Sequence, residues 1–129
     1  MIRILIIEDD LEIMDIYLDY FHYQTDPKFE VFNVENVRDG LECIKSSQYD
    51  VILADYNLPD GVSTDITNHI KTIPGYDPLV IMLSGSPPFR TGPESFAAGV
   101  HKVFTKPTSL DTILGYIRER LSGEVNVAA

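Results

Sequence analysis

The chain has 129 residues, 44% of them hydrophobic, and a formal net charge of −10 at pH 7. This length predicts one domain rather than two, with enough residues to bury a real core. The acidic charge argues against non-specific nucleic-acid binding, which needs a basic surface.

The N-terminal sequence and the cysteine content bear on cellular location. No apolar run approaches the ~18 residues of a membrane span, and Met1 leads directly into an apolar segment without the features of a signal peptide. The single cysteine, Cys43, cannot form an internal disulfide and is expected to pack as a small core residue. Together these features predict a cytoplasmic location.

Strand and helix patterns alternate in the first half of the chain. Residues 3–8 and 29–34 are predicted strands, and each is followed by apolar residues at helical spacing. Asp10 and Asn36 stand before the two helical stripes and are predicted to cap them. The stripes consist of Leu11, Met14, Leu18 and Phe21, and of Val37, Leu41 and Ile44.

The same alternation continues through the middle of the chain. Residues 50–54 and 79–83 are predicted strands, and residues 57–61 are a predicted loop. A third helix is predicted between them and ends at Pro74 and Gly75. Its apolar stripe consists of Ile66, Ile70 and Ile73.

The last third of the chain begins with a proline-rich segment. Residues 84–93 predict a long, stiff loop, with Pro93 in the first turn of a short helix over residues 94–98. Residues 100–105 predict the fifth strand. The last helix is predicted to start at a capping-box-like sequence over residues 108–111 and to end at Gly123, with a disordered tail over residues 124–129. Its stripe consists of Leu110, Ile113, Leu114, Ile117 and Leu121.

Five strands that alternate with five helices predict an α/β fold. Right-handed crossovers favour a flavodoxin-like, doubly wound (βα)5 arrangement, with a parallel five-stranded sheet in the order 2-1-3-4-5. One domain is predicted over residues 1–123. In this order the first and third strands are neighbours, and ligands bind outside the carboxyl ends of such strands.

Reactive side chains stand where four of the predicted strands end. Glu8 and Asp9 end the first strand, Asp55 the third, Ser84 the fourth and Lys106 the fifth. The predicted topology brings these groups to one rim of the sheet. Carboxylates suit a hard cation such as Mg²⁺, and a lysine supplies a point charge to phosphate. The sequence therefore predicts a site for Mg²⁺ and a phosphoryl group.

Four motifs in this order give the chain a resemblance to a known family. They are Ile6-Ile7-Glu8-Asp9-Asp10, Asp55-Tyr56-Asn57-Leu58-Pro59-Asp60-Gly61, Leu83-Ser84-Gly85 and Lys106-Pro107. Over about residues 2–122 the chain resembles the receiver domain of two-component response regulators. The resemblance implies a signalling module that takes a phosphoryl group from a phosphohistidine, with a histidine kinase or a histidine phosphotransfer protein as the donor.

The resemblance also implies a role for each matching residue. Asp55 would be the phospho-acceptor, and Asp55, Glu8 and Asp9 would hold Mg²⁺ together with the backbone carbonyl of Asn57. Lys106 would bind a phosphoryl oxygen, with Pro107 fixing the turn after it. Ser84 would be the switch hydroxyl that turns towards the phosphate. Such a protein promotes its own phosphorylation and slow dephosphorylation and is not a conventional turnover enzyme.

One departure from the family pattern concerns the switch. The family usually has a tyrosine or phenylalanine three residues before the lysine, and this position holds Val103. The aromatic residue is Phe104, which should face the other side of the sheet because side chains alternate along a strand. We therefore expect no aromatic rotamer exchange on phosphorylation.

Simpler interpretations exist for the individual residues. Asp10 is favoured as a cap of the first helix, and Asp9 could be such a cap as well. Asp55 and Ser84 could be ordinary turn residues, and Lys106 a solvated lysine at a strand end. The three histidines show no ligand spacing and are predicted to lie on the surface. They are His22, His69 and His101.

Two other functions compete with a phospho-accepting receiver. A haloacid-dehalogenase-type phosphatase would use Asp9 as nucleophile and needs an acid two residues later, where this chain has Leu11. A degenerate receiver would bind an unknown downstream protein without being phosphorylated. The chain is compatible both with a single-domain protein and with a receiver from a longer regulator or hybrid kinase.

Overall fold

The computed structural model of the protein describes the backbone of residues 1–85 and 88–128, and the side chains of residues 1–85 and 93–122. Within that backbone, five parallel strands form the main sheet. They are β1 (Ile2–Ile7), β2 (Phe29–Val34), β3 (Val51–Asp55), β6 (Leu79–Ser84) and β7 (Lys102–Thr105). Their order is β2-β1-β3-β6-β7, which confirms the predicted 2-1-3-4-5 sheet.

Two further strands form a small hairpin where a loop was predicted. β4 (Asn57–Leu58) pairs antiparallel with β5 (Gly61–Val62) directly after β3. Gly61 has φ of 151°, a conformation that side chains with a Cβ rarely adopt. Leu58 and Gly61 are paired across the hairpin, so the chain turns at Pro59 and Asp60, two residues that are common in tight turns.

The helices cover both faces of the sheet. They are α1 (Leu11–His22), α2 (Val37–Ser46), α3 (Thr64–Ile70), α4 (Pro88–Ala97) and α5 (Leu110–Ala128). Among the described residues, none of these helices has both the length and the apolar character needed to cross a membrane.

The predicted caps of the first two helices are confirmed. The Asp10 carboxylate accepts hydrogen bonds from the backbone N–H groups of Glu12 and Ile13, at 3.0 and 3.2 Å. The Asn36 side chain accepts from the N–H of Asp39 at 2.8 Å. Side chains of this type satisfy N–H groups that have no partner within the first helical turn.

Several predicted boundaries were wrong. α4 begins at Pro88 rather than at residue 94, so Pro93 lies inside the helix and not in its first turn. A proline in a helix removes one hydrogen bond, but Ser95 within α4 and Ala98 directly after it are both buried and pack this end of the helix against the protein. The predicted stiff loop of residues 84–93 falls partly outside the described residues.

The start of α5 lies within the predicted segment of residues 108–111, whereas its end differs from the prediction. The helix starts at Leu110, and its cap is Ser109, whose hydroxyl accepts from the N–H of Thr112 at 3.1 Å. The helix continues past Gly123 to Ala128. A glycine in a helix costs only about 1 kcal/mol relative to alanine, so it does not have to end one. The division into a domain of residues 1–123 and a tail of residues 124–129 stays a prediction.

Alternation along the strands creates two hydrophobic clusters, one on each face of the sheet. The first packs under α2 and α3, and the second under α1 and α5. Gly40 of α2 permits the close packing on the first face, because a Cβ there would lie 2.7 Å from Cδ1 of Ile66. Val103 belongs to the first cluster and Phe104 packs against the second, as the alternation predicted.

Candidate metal centre

Three carboxylates meet where β1 and β3 end. Ile7 and Ala54 are paired in the parallel ladder, so the residues that follow each of them emerge side by side. Glu8, Asp9 and Asp55 each offer a carboxylate oxygen, and these oxygens all lie within 4.8 Å of one another. The structure thus brings together the acidic residues that the sequence predicted as metal ligands.

The three acids differ in burial. The Glu8 side chain is buried, that of Asp55 is largely buried, and Asp9 is exposed. The backbone N–H of Asp9 donates to Oε2 of Glu8 at 3.1 Å. Burial, with the neighbouring Asp55 charge as the second cause, raises the pKa of Glu8 from 4.5 to about 7. A charged Glu8 is therefore unfavourable until cations balance the charges of the three acids.

Lys106 supplies a positive charge at the same rim. It follows β7, and its Nζ lies 3.0 Å from Oδ1 of Asp55 and 3.8 Å from Oε1 of Glu8. The ammonium group opposes the rise in the pKa of Glu8. The peptide bond between Lys106 and Pro107 is cis. Lys106 therefore occupies the position that the prediction assigned to it.

Ser84 ends β6 with its side chain fully buried. Its carbonyl accepts from the backbone N–H of Lys106 at 2.8 Å, which fixes the ends of β6 and β7 relative to each other. Its neighbour Leu83 is paired with Asp55 in the sheet. The predicted switch hydroxyl is thus carried by the strand next to the one that ends in Asp55.

The loop that follows Asp55 is fixed by contacts that the sequence analysis missed. The buried Ser63 hydroxyl donates to the carbonyl of Asp55, and the Ser63 N–H donates to the carbonyl of Tyr56 at 3.0 Å. Asn57 begins β4 within this clamped segment, with an exposed side chain. The contribution of its carbonyl to a metal stays a prediction.

Asp60, at the tip of the hairpin, reaches across to α2. Its carboxylate accepts from the backbone N–H groups of Val37 and Arg38, at 2.8 and 3.0 Å. These two hydrogen bonds hold the pKa of Asp60 below its usual value of 3.8. Asp60 and Asn36 therefore share the N-terminus of α2, and the loop that follows Asp55 is attached to the second helix.

Tyr56 makes a third contact that the sequence analysis did not identify. The residue is buried, and its hydroxyl donates to Oε2 of Glu94 on α4 at 2.9 Å, while the Thr64 hydroxyl donates to Oε1 of the same residue at 3.4 Å. Burial, and secondly the hydrogen bond to Glu94, raise the pKa of Tyr56 above 10.0. In the sequence, the only signal for this contact is that residue 56 is aromatic, which favours burial of its side chain.

The remaining predicted residues lie away from the three carboxylates. Asp10 caps α1 and is not part of the group. His101 is partly buried rather than on the surface, and its Nδ1 accepts from the N–H of Val80 at 3.0 Å. The sequence shows no signal for this bond because the two residues belong to different strand ends. Cys43 packs against the first cluster at intermediate burial.

The carboxylate group fits a hard divalent cation. Mg²⁺ prefers oxygen ligands and is usually held by one or two carboxylates plus phosphate or water oxygens. The site offers three carboxylates beside one ammonium group, so it carries excess negative charge. The raised pKa of Glu8 is the expected property of an acid in such a cluster.

Comparisons with known proteins agree with this geometry. A family model described as the response regulator receiver domain matches residues 4–118. The cell cycle transcriptional regulator CtrA of Caulobacter vibrioides is 30% identical over 118 residues, which are 89% of this chain and 48% of CtrA. The transcriptional regulatory protein CiaR of Streptococcus pneumoniae is 29% identical over 98% of this chain and 55% of CiaR. The chain thus spans about half the length of these relatives.

Solved structures show the same fold. A CheY-like response regulator receiver domain protein from Methanospirillum hungatei has a TM-score of 0.84 at 27% identity, over 98% of each chain. The phosphorylated cyanobacterial phytochrome response regulator RcpA has a TM-score of 0.75 at 25% identity, over 92% of this chain and 91% of RcpA.

Proposed function

Because the chain belongs to the response regulator receiver domain family of two-component systems, we propose that it accepts a phosphoryl group on Asp55. The donor would be a phosphohistidine of a histidine kinase or of a histidine phosphotransfer protein. A carboxylate oxygen of Asp55 attacks the phosphorus, the phosphorus–nitrogen bond of the donor breaks, and its electron pair returns to the imidazole ring. The product is an aspartyl phosphate.

One observation carries the proposal more than any other. Asp55 shares its surroundings with two further acids and with Lys106, whose Nζ is 3.0 Å from the Asp55 carboxylate. Phosphoryl transfer needs little covalent help from a protein and depends on positioning and charge neutralisation. This group of side chains supports both needs.

Glu8, Asp9 and Asp55, with the carbonyl of Asn57, are the residues that would hold Mg²⁺. When bound, the ion supplies positive charge to the acids and to the phosphoryl oxygens. The protein positions the reacting carboxylate. Ser63 fixes the backbone of Asp55 and orients the acceptor.

Two residues would respond to the transferred group. The Lys106 ammonium group would neutralise a phosphoryl oxygen after exchanging its contact with the free carboxylate. The Ser84 hydroxyl would donate to another oxygen of the group. Each transfer modifies the protein itself, so we propose a self-phosphorylating switch rather than a conventional turnover enzyme. The response would alter a surface that an unidentified downstream protein binds.

The proposal is tested by intact mass spectrometry. The protein is incubated with acetyl phosphate, with Mg²⁺ and separately with excess chelator, alongside Asp55→Asn. We expect a single phosphoryl adduct on the wild type with Mg²⁺ and none in the other two samples. Efficient modification of Asp55→Asn, or equal modification with chelator, would refute the proposal. No adduct under any condition would favour the degenerate receiver, which binds partners without phosphorylation.

A further inference from the structure

Tyr56 touches both the strand that carries the switch hydroxyl and the fourth helix. Its backbone N–H donates to the carbonyl of Leu83, next to Ser84, at 2.8 Å. Its phenol donates to Oε2 of Glu94 at 2.9 Å. The residue directly after the acceptor Asp55 is therefore bonded to β6 through its main chain and to α4 through its side chain.

The far end of this contact is well anchored. Glu94 also accepts from the hydroxyl of Thr64, the first residue of α3, at 3.4 Å. The next residue, Ser95, is fully buried, and its hydroxyl lies 3.6 Å from the sulfur of Met82 on β6. A displacement of Tyr56 thus reaches a turn of α4 that is packed against the sheet.

The ring of Tyr56 lies on the face of the sheet where the family usually places its switch ring. Tyr56 and Val103 belong to the same hydrophobic cluster. Val103 itself is small and has a stiff χ1, so it cannot sweep out the volume of an aromatic ring. In this chain, Tyr56, directly after β3, supplies an aromatic ring in contact with α4, whereas position 103 of β7 holds valine.

We propose that the Tyr56–Glu94 hydrogen bond is the link through which phosphorylation of Asp55 changes the position of α4. This inference rests on the proposed function, because it needs Asp55 to be modified. A phosphoryl group that draws in Ser84 shifts the peptide between Asp55 and Tyr56 and its bond to Leu83. The ring is buried, so it follows the backbone, and the change passes to Glu94. A local charge thereby biases a two-state element.

The test compares amide chemical shifts with and without beryllofluoride, a mimic of the phosphoryl group, in the presence of Mg²⁺. The variant Tyr56→Phe keeps the buried ring and removes only the hydroxyl. Tyr23→Phe is the matched control, since Tyr23 is exposed at 77%. Two sets of amides report separately: Glu8 and Asp9 report the site, and residues 95–98 report α4.

We expect the site amides to respond alike in all three proteins. In Tyr56→Phe the shift changes of residues 95–98 should fall to about half or less of those in the wild type, while Tyr23→Phe should match the wild type. Full-sized changes at residues 95–98 in Tyr56→Phe would overturn the link. An absent response at Glu8 and Asp9 in the wild type would instead contradict the proposed function, and the link with it.

A second variant guards against a folding defect in Tyr56→Phe. Glu94 is exposed, so Glu94→Ala removes the acceptor without disturbing the core. Because Glu94→Ala also removes the acceptor of the Thr64 hydroxyl, it should reduce the α4 response at least as much as Tyr56→Phe does. The double variant should show no loss beyond that of Glu94→Ala, because both substitutions break the Tyr56–Glu94 bond. Additive losses would show that the two residues act independently and would overturn the proposal. Glu94→Gln keeps an acceptor oxygen and should retain most of the response.

Discussion

The ammonium group of Lys106 lies 3.0 Å from the Asp55 carboxylate and 3.8 Å from that of Glu8. One cation thus faces two acids that the sheet brings together, and Asp9 adds a third within 4.8 Å. The charges at this rim are unbalanced without a further cation. Because ionisation of Glu8 is unfavourable in this cluster, we expect the stability of the protein to depend on pH and on Mg²⁺.

We predict that, without metal, the contribution of Glu8 to stability falls as the pH rises from 4.5 to about 7. The pKa of Glu8 is about 7 in the folded protein and 4.5 as its ordinary value. Between these values the folded state holds more protons than the unfolded state, so the free energy of unfolding decreases with pH. Urea unfolding over this range, compared between the wild type and Glu8→Gln, measures the effect.

Glu8→Gln should show a flatter dependence on pH than the wild type. Above about pH 7, Mg²⁺ should stabilise the wild type more than Glu8→Gln, because the ion binds the charged acid in the folded state. The same slope in both proteins would show that Glu8 is not the group that titrates.

The neighbouring acids Asp9 and Asp10 should have different roles: we expect Asp9 to bind Mg²⁺ and Asp10 to cap α1. Asp9→Ala should weaken Mg²⁺ binding strongly and change stability little, since its side chain is exposed. Asp10→Ala should cost about 1 kcal/mol of stability, the typical value of an N-cap, and leave Mg²⁺ binding nearly unchanged. Calorimetric Mg²⁺ titration and urea unfolding of both variants give the two rankings. If Asp10→Ala weakened Mg²⁺ binding more than Asp9→Ala, our assignment of ligand and cap would be reversed.

The sequence predicted the caps of the first two helices, the strand order, and the convergence of Glu8, Asp9, Asp55 and Lys106 at one rim of the sheet. Asp10 and Asn36 cap helices whose first N–H groups lie two or three residues away, so the short sequence was sufficient. The acidic rim could be predicted because parallel strands end on one side of a sheet. In each case, the relevant distance along the chain was short or the topology was regular.

The contacts that hold the loop after Asp55 could not be predicted in this way. Asp60 binds the N-terminus of α2 across 23 residues of sequence, and Tyr56 binds Glu94 across 38. Neither pair can be recognised in the sequence, because Asp60 before a glycine and the exposed Glu94 are both ordinary surface residues. The extent of α4 was underestimated for a different reason. Its prolines indicate a loop by composition, whereas packing at Ser95 and Ala98 decides the outcome.

His101 should make the stability of the protein rise with pH, which is the opposite of the effect predicted for Glu8. Burial, and secondly the charge of Arg120, hold the pKa of His101 below its ordinary value of 6.5. The unfolded chain therefore takes up this proton first as the pH falls, and stability is lost below 6.5 until the folded state is protonated as well. Protonation of Nδ1 would also break the hydrogen bond from the N–H of Val80.

The measurement is the urea midpoint as the pH is lowered through 6.5, in a Glu8→Gln background that removes the competing slope. His101→Gln should abolish most of the loss, and His22→Gln, at an exposed position, should not. An unchanged slope in His101→Gln would assign the loss to another group.

The most direct test of the account is to locate the phosphoryl group. Protein treated with acetyl phosphate and Mg²⁺ is reduced with borohydride, which converts an aspartyl phosphate to homoserine, and its peptides are sequenced by mass spectrometry. We predict homoserine at position 55 and unmodified residues at Glu8 and Asp9, with no conversion in Asp55→Asn. Homoserine at Asp9, or a stable phosphate ester at Ser84, would contradict the assignment of Asp55 as the acceptor.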